Sequence, residues 1–166
     1  NNKAGSTLWN YGAVSNEGIF NNKTGGVLNN AADIKIDYGT LNNDGTLNNL
    51  IYGSLKIFGV MNNSGMLNND GRTWTHPNTG QVYLFGIHNR GMLDNSGNLN
   101  NNGMLSNDDY PSILNNSGTL NNNSSSEAYN YGTVNNAATG MLVNAGALFN
   151  YNALNNAGVL SNTGAI

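Results

Sequence analysis

The sequence predicts an all-β fold: one three-faced parallel β-solenoid of about eight coils, each about 20 residues long. Three observations predict it. Thirty-eight of the 166 residues are asparagine, and most fall on the beat Asn-x-Gly-x-Leu, as in Asn43-Asp-Gly-Thr-Leu47 and Asn116-Ser-Gly-Thr-Leu120. The beat recurs about every six residues, with some steps of seven or eight. Three such steps make a longer period, seen in the anchors Leu8, Leu28, Leu47 and Leu67, spaced 20, 19 and 20 residues apart.

Each element follows from that beat. In an extended segment side chains alternate between faces. If Leu47 points inward, Thr46 and Asn48 point outward and Asn49 points inward again. Glycine then takes the bend cheaply, because it tolerates positive φ. One step is therefore a short strand and a corner, and three steps close one turn. The inward series runs Leu8, Val14, Phe20, Leu28, Ile34, Leu41, Leu47, Leu55, Met61 and Leu67. Stacking about eight turns at about 4.8 Å gives a rod of about 38 Å. Asn follows the aliphatic residue where left-handed hexapeptide solenoids carry a small side chain, so a right-handed β-helix is expected.

The second Asn of each pair recurs once per turn. Asn10, Asn30, Asn49 and Asn69 share one face; Asn22, Asn43 and Asn63 share another. A buried amide needs partners. Stacked copies satisfy one another along the axis, as Asn ladders do in cross-β structures. These asparagines are therefore expected to form structural ladders.

Aromatic residues repeat on the same period. Ala128-Tyr-Asn-Tyr-Gly and Leu148-Phe-Asn-Tyr-Asn echo Leu8-Trp-Asn-Tyr-Gly at offsets of 120 and 20 residues. This arithmetic puts Trp9, Tyr129 and Phe149 on one outward file, and Tyr11, Tyr131 and Tyr151 beside one corner. Such files are aromatic ladders, a platform for stacking carbohydrate, or a lateral contact.

The whole chain, 1–166, reads as one solenoid domain, a segment of a longer repeat array, with loops near 70–81, 106–112 and 122–127. Between Leu67 and Ile87 the beat fails at Arg72-Thr-Trp-Thr-His-Pro-Asn-Thr-Gly80. Either Trp74 fills a face or the segment protrudes. The likeness of Ile34-Lys-Ile-Asp-Tyr-Gly39, Leu55-Lys-Ile-Phe-Gly59 and Val82-Tyr-Leu-Phe-Gly86 suggests one stacked face and favours the loop. Smaller insertions follow Leu105 (Asp108-Asp109-Tyr110-Pro111) and Asn122 (Ser124 to Ser126). Insertions in solenoids map to loops, where binding concentrates.

Composition narrows the function. Six scattered basic residues and a formal charge of −3 argue against nucleic acid. No apolar run approaches the length of a membrane span. With no cysteine, thiolate metal sites and disulfides are excluded. His76 and His88 lack the companions that a zinc site needs, and nothing implies a cofactor. Sugar-cleaving chemistry wants two facing carboxyl groups. The best cluster, His88, Arg90, Asp94, Asp108 and Asp109, reads instead as a surface ion pair between Arg90 and Asp108. No catalytic residue is assigned. An ice-binding face is a further reading, but the slot before the inward residue reads Thr7, Val27, Thr46, Met66, with no continuous threonine array. An outward asparagine file does exist at Asn21, Asn42 and Asn62.

With Asn-x-Gly-x-Leu repeated in coils of about twenty residues, the chain resembles the β-helical repeats of filamentous-haemagglutinin-like bacterial adhesins. The resemblance covers nearly the whole length and rests on beat and coil length. It implies a secreted or cell-surface, extracellular rod that builds filaments or matrix and presents surfaces for adhesion. The expected partners are further copies of itself, end to end or side by side, or a surface polysaccharide. The alternative is an ice-binding or polysaccharide-binding solenoid; a carbohydrate-active lyase is third.

Overall fold

The computed structural model describes residues 1–109 and 111–166. Among them there is no helix. Twenty-two four-residue strands pair in parallel as three sheets of eight, seven and seven strands. The first face runs from Thr7–Asn10 to Val159–Asn162, the second from Ala13–Asn16 to Ala147–Asn150, and the third from Ile19–Asn22 to Ala153–Asn156. Successive strands lie on successive faces, so this is a three-faced β-solenoid of about eight coils of roughly 20 residues.

Register is in step throughout. Leu28 lies against Leu8, Leu47 against Leu28, and Leu67 against Leu47. The typical strand is buried at its second and fourth residues and half-covered at its first and third, as in Thr46–Asn49. The second position supplies an unbroken apolar core that includes Leu47, Leu55, Met61, Leu93 and Leu99, all 0% exposed. Each such side chain contributes roughly 1.5–3 kcal/mol when fully removed from water.

The fourth position carries the asparagine ladders. On the first face, Asn10 donates to Asn30, Asn30 to Asn49 and Asn49 to Asn69, each from Nδ2 to Oδ1 at 2.8 Å. The file continues through Asn101, Asn122 and Asn144 to Asn162. On the third face, Asn2, Asn22, Asn43 and Asn63 lead through Asn95, Asn116 and Asn136 to Asn156, all at 2.7–2.8 Å. The second-face ladder is shorter, from Asn89 through Asn107 and Asn130 to Asn150. Ile36 and Ile57, both 0% exposed, occupy its place in earlier coils.

All three inner ladders run in one sense: each amide donates toward the following coil. The second N–H fixes that sense. Asn22 Nδ2 also donates to Thr46 O at 2.9 Å, and Asn43 Nδ2 to Met66 O at 2.9 Å, each a carbonyl just past the next coil's corner. A nitrogen must face that carbonyl, so the oxygen faces the preceding coil. The outward files run the other way: Asn42 donates back to Asn21, and Asn62 back to Asn42, at 2.8 Å.

The glycine of the beat is required for a different reason than bending. Most corner glycines have ordinary φ; positive values are confined to Gly5, Gly25, Gly80 and Gly86. A Cβ on Gly65, Gly97 or Gly118 would instead collide with the carbonyl oxygen of Gly45, Gly65 or Gly97 in the coil before. Close stacking of corners excludes any side chain there.

The long insertion protrudes, with bounds that differ from 70–81. The chain leaves the coil at Gly71 and returns at Gly86, whose φ of +116° suits glycine. Between them Trp74–Thr75 pairs antiparallel with Val82–Tyr83. Val82-Tyr-Leu-Phe-Gly86 therefore does not stack on Leu55. Gly86-Ile87-His88-Asn89 does, with Ile87 opposite Leu55. The second insertion falls between the strands Met104–Asn107 and Ile113–Asn116, so 106 and 107 belong to a strand; Tyr110 lies outside the described residues. The third is a corner at 123–126, with Ser125 at φ +65°.

Candidate functional site

The outer surfaces of the three faces differ in chemistry. The outward third position of the first face reads Trp9, Asn29, Asn48, Asn68, Asn100, Asn121, Val143, Ser161 in successive coils. The third face reads Asn21, Asn42, Asn62, Asp94, Asn115, Asn135. Amides fill five consecutive rungs of the first face and every rung but Asp94 of the third. The second face reads Ser15, Lys35, Lys56, His88, Ser106, Tyr129, Phe149. Its neighbouring positions hold Asp33, Asp37, Arg90, Asp108 and Glu127. Side-chain chemistry is concentrated on this one face.

At one end, Lys35 pairs with Asp37 at 2.7 Å and Lys56 with Asp33 at 3.2 Å. The Lys35 hydrogen bond, with help from Ser15, holds the half-buried Asp37 carboxyl below the usual range. Phe58 lies beneath two cations, Lys35 Nζ at 5.1 Å and Arg90 at 5.7 Å from its ring centre.

In the middle, Asp108 collects three donors. His88 Nδ1 lies at 3.3 Å, Arg90 Nε at 3.4 Å, and the Ser106 hydroxyl bonds its other oxygen. Burial pushes the Asp108 carboxyl up, but the bonds from His88, Ser106 and Arg90 outweigh it and keep the group ionised below the usual carboxylate value. The Arg90–Asp108 contact between adjacent coils thus belongs to a wider cluster. Asp94 instead accepts from Asn115 at 2.7 Å on the third face. Among the described residues, no group of three or more His, Asp or Glu side chains is placed to hold a metal ion.

At the far end, aromatic rings stack along the axis. Tyr129 and Phe149 lie 4.9 Å apart, and Tyr131 and Tyr151 lie 4.8 Å apart. Tyr129 and Tyr131 stand side by side, their centres 6.3 Å apart and their planes within 5°. Tyr129 donates to Glu127 at 2.9 Å; burial, then that carboxylate, pushes its phenol up to about 12.

Trp9 is not part of this file. It stands on the first face opposite Asn29, and stacks on Tyr11 at 5.5 Å. The offset of 120 residues spans the hairpin insertion, which moves the phase of the repeat by one face. The predicted set therefore divides into Trp9 with Tyr11, and Tyr129 and Phe149 with Tyr131 and Tyr151.

The hairpin adds a lip that the beat does not reveal. Its Thr73 and Leu84 border a groove of about 400 Å³ over the second face, floored by His88, Ser106 and Tyr129. A smaller hollow of about 140 Å³ shares Leu84, His88 and Arg90 and continues to Lys56 and Phe58. The hairpin carries its own aromatic group: Trp74 packs on Tyr83 at 5.5 Å, Tyr83 on Phe85 at 6.2 Å, and Phe85 on Tyr52 at 5.7 Å. The available signal for this face was the loss of Asn at the third strand position, in Lys35, Lys56, His88, Ser106, Tyr129 and Phe149.

No family model, curated relative or solved structure matches the chain.

Proposed function

We propose that this chain is an extracellular structural and adhesive β-solenoid, a stiff shaft that contributes to surface filaments or matrix and makes its contacts through the second face. The observation that carries the reading is the division of labour among the faces. Two present repetitive amide files, and one gathers the charged and aromatic side chains beside a protruding hairpin. Continuous inner ladders give a shaft its stiffness, since every coil is bonded to the next through buried amides. The resemblance to haemagglutinin-like repeats supports a secreted or cell-surface setting. No catalytic role is proposed.

Displaying the chain on a non-adherent bacterial cell tests the reading. Displaying cells are expected to clump or to be retained on polysaccharide-coated surfaces. Cells that neither clump nor adhere would contradict it.

Polysaccharide binding is the second reading, favoured by the stacked rings of Tyr129, Phe149, Tyr131 and Tyr151 beside the groove. Self-association, end to end or side by side, is the other contact. Ice binding has weaker support, because the outward files are asparagine; thermal hysteresis tests it.

A further inference from the structure

The first and third faces are built alike and differ in one charge. On the first face the outward file Asn29, Asn48, Asn68, Asn100 and Asn121 is bonded rung to rung at 2.8–2.9 Å. The outward column beside it holds Val27, Thr46, Met66, Asn98, Thr119 and Met141. None of the eight strands of this face carries a charged side chain. The third face repeats the two columns, with Asn42 and Asn62 beside Thr40 and Val60. Its seven strands carry a single charge, Asp94, in register with Asn62 and Asn115.

We propose that two copies of this chain pair side by side through their first faces, and that Asp94 keeps the third face out of such contacts. The inference rests on the side-by-side self-association reading and says which face carries it. Each outward amide spends one N–H and one oxygen lone pair on its own file, which leaves a second N–H and a second lone pair for a partner. A matching partner must offer both at every rung, about 4.8 Å apart. A second copy has that rise by construction, whichever way its axis points. The columns of Val, Thr and Met then exclude water beside the amide files, as in the dry interfaces between paired cross-β sheets. The chain has a formal charge of −3, yet no like charges meet where two first faces touch. Contact through the third face would take the Asp94 carboxylate from water with no cation in those strands to pair it, which opposes association. Eight strands of four residues make a face of roughly 34 by 13 Å. Two such faces cover roughly 900 Å² in all, the size of a weak contact that forms where copies are crowded. The second face stays outside the pair.

The chain has no cysteine, so one introduced thiol reports contact between copies. Thr119 and Thr133 hold the same strand position on the first and third faces and are equally half-covered. Thr119→Cys and Thr133→Cys are each oxidised with copper–phenanthroline across a concentration series, and disulfide-linked dimer is read on non-reducing gels. Circular dichroism melts confirm that each variant is folded. Thr119→Cys is expected to cross-link about tenfold faster than Thr133→Cys. Met66→Lys, at a position 41% exposed, puts a charge on each first face and is expected to bring the Thr119→Cys rate down to that of Thr133→Cys. Asp94→Asn removes the guard and is expected to bring the Thr133→Cys rate up to that of Thr119→Cys. Equal rates in the two single variants, a faster Thr133→Cys, or a Thr119→Cys rate unmoved by Met66→Lys overturns pairing through the first face. A Thr133→Cys rate unmoved by Asp94→Asn overturns the role of Asp94. Displaying cells separate the inference from the reading beneath it. If Met66→Lys cells clump and adhere like wild-type cells, the pairing fails and the adhesive shaft stands. If wild-type cells neither clump nor adhere, the shaft fails as well.

Discussion

Asn63 donates its Nδ2 to Asn95 Oδ1 at 2.7 Å, across 32 residues of sequence. Neighbouring bonds in the same ladder span 20 and 21 residues. The ladder therefore passes the hairpin without a break, and the insertion is accommodated wholly outside the coil.

Removing one rung from a buried ladder leaves its neighbours unpaired. Asn95→Ala takes the acceptor from Asn63 and the donor from Asn116. The expected loss is about 2 kcal/mol, within the usual cost of unsatisfied buried polar groups. Asn62→Ala, in the outward file where water replaces the partner, should cost under about 0.5 kcal/mol. Urea unfolding of both variants measures the difference; equal losses would show that the inner amides are not special.

The hairpin can be removed. Deleting residues 72–85 joins Gly71 to Gly86 and leaves a two-residue corner between strands, like the one between Asn101 and Met104. Gly71 already lies against Gly86. The shortened chain should keep its far-UV circular dichroism and melt within a few degrees of the parent. A broad, early transition would mean that the hairpin supports the coils.

Corner glycines should differ by position. A Cβ on Gly18, in the first coil, meets nothing within 4 Å, whereas one on Gly39 runs into the Gly18 carbonyl. Gly39→Ala should cost about 1–3 kcal/mol, the usual range for forced overpacking. Gly18→Ala should be close to neutral. Thermal melts of the pair decide this, and equal effects would refute the steric account.

Acid should loosen the second face through Asp108. Its carboxyl is held below the usual value of 3.8. A depressed folded value means that the stabilisation is fully present above the usual range and is lost as pH falls through it toward the folded value. Wild type should therefore exceed Asp108→Asn in melting temperature at neutral pH, and the gap should narrow below about pH 4. A gap that stays constant into acid would remove Asp108 from the cluster.

The repeat made much of this architecture readable in advance, because one side chain type in each slot reports one environment. Leu47 and Asn49 announce inward positions by alternation, and the spacing from Leu8 to Leu67 gives the coil length. The phase after the hairpin was not readable by counting, since residues outside the coil add length without adding turns. That is why Trp9 and Tyr129 share a sequence pattern but lie on different faces. The glycines were placed correctly and for the wrong reason: the pattern shows where Gly65 falls, but only stacked coils show the carbonyl that excludes its side chain. The groove was hidden because it needs the hairpin's Leu84 beside His88 and Tyr129, which no periodicity brings together.

Side-chain contacts among asparagines test vertical registry most directly. NMR cross-peaks between side-chain amides should link Asn69 to Asn101, the rung that bridges the insertion, and should be absent between Asn69 and Asn89, which is on another face. A contact from Asn69 to Asn89 instead would mean that the segment between them is wound into the rod, and would contradict the stacked-coil account.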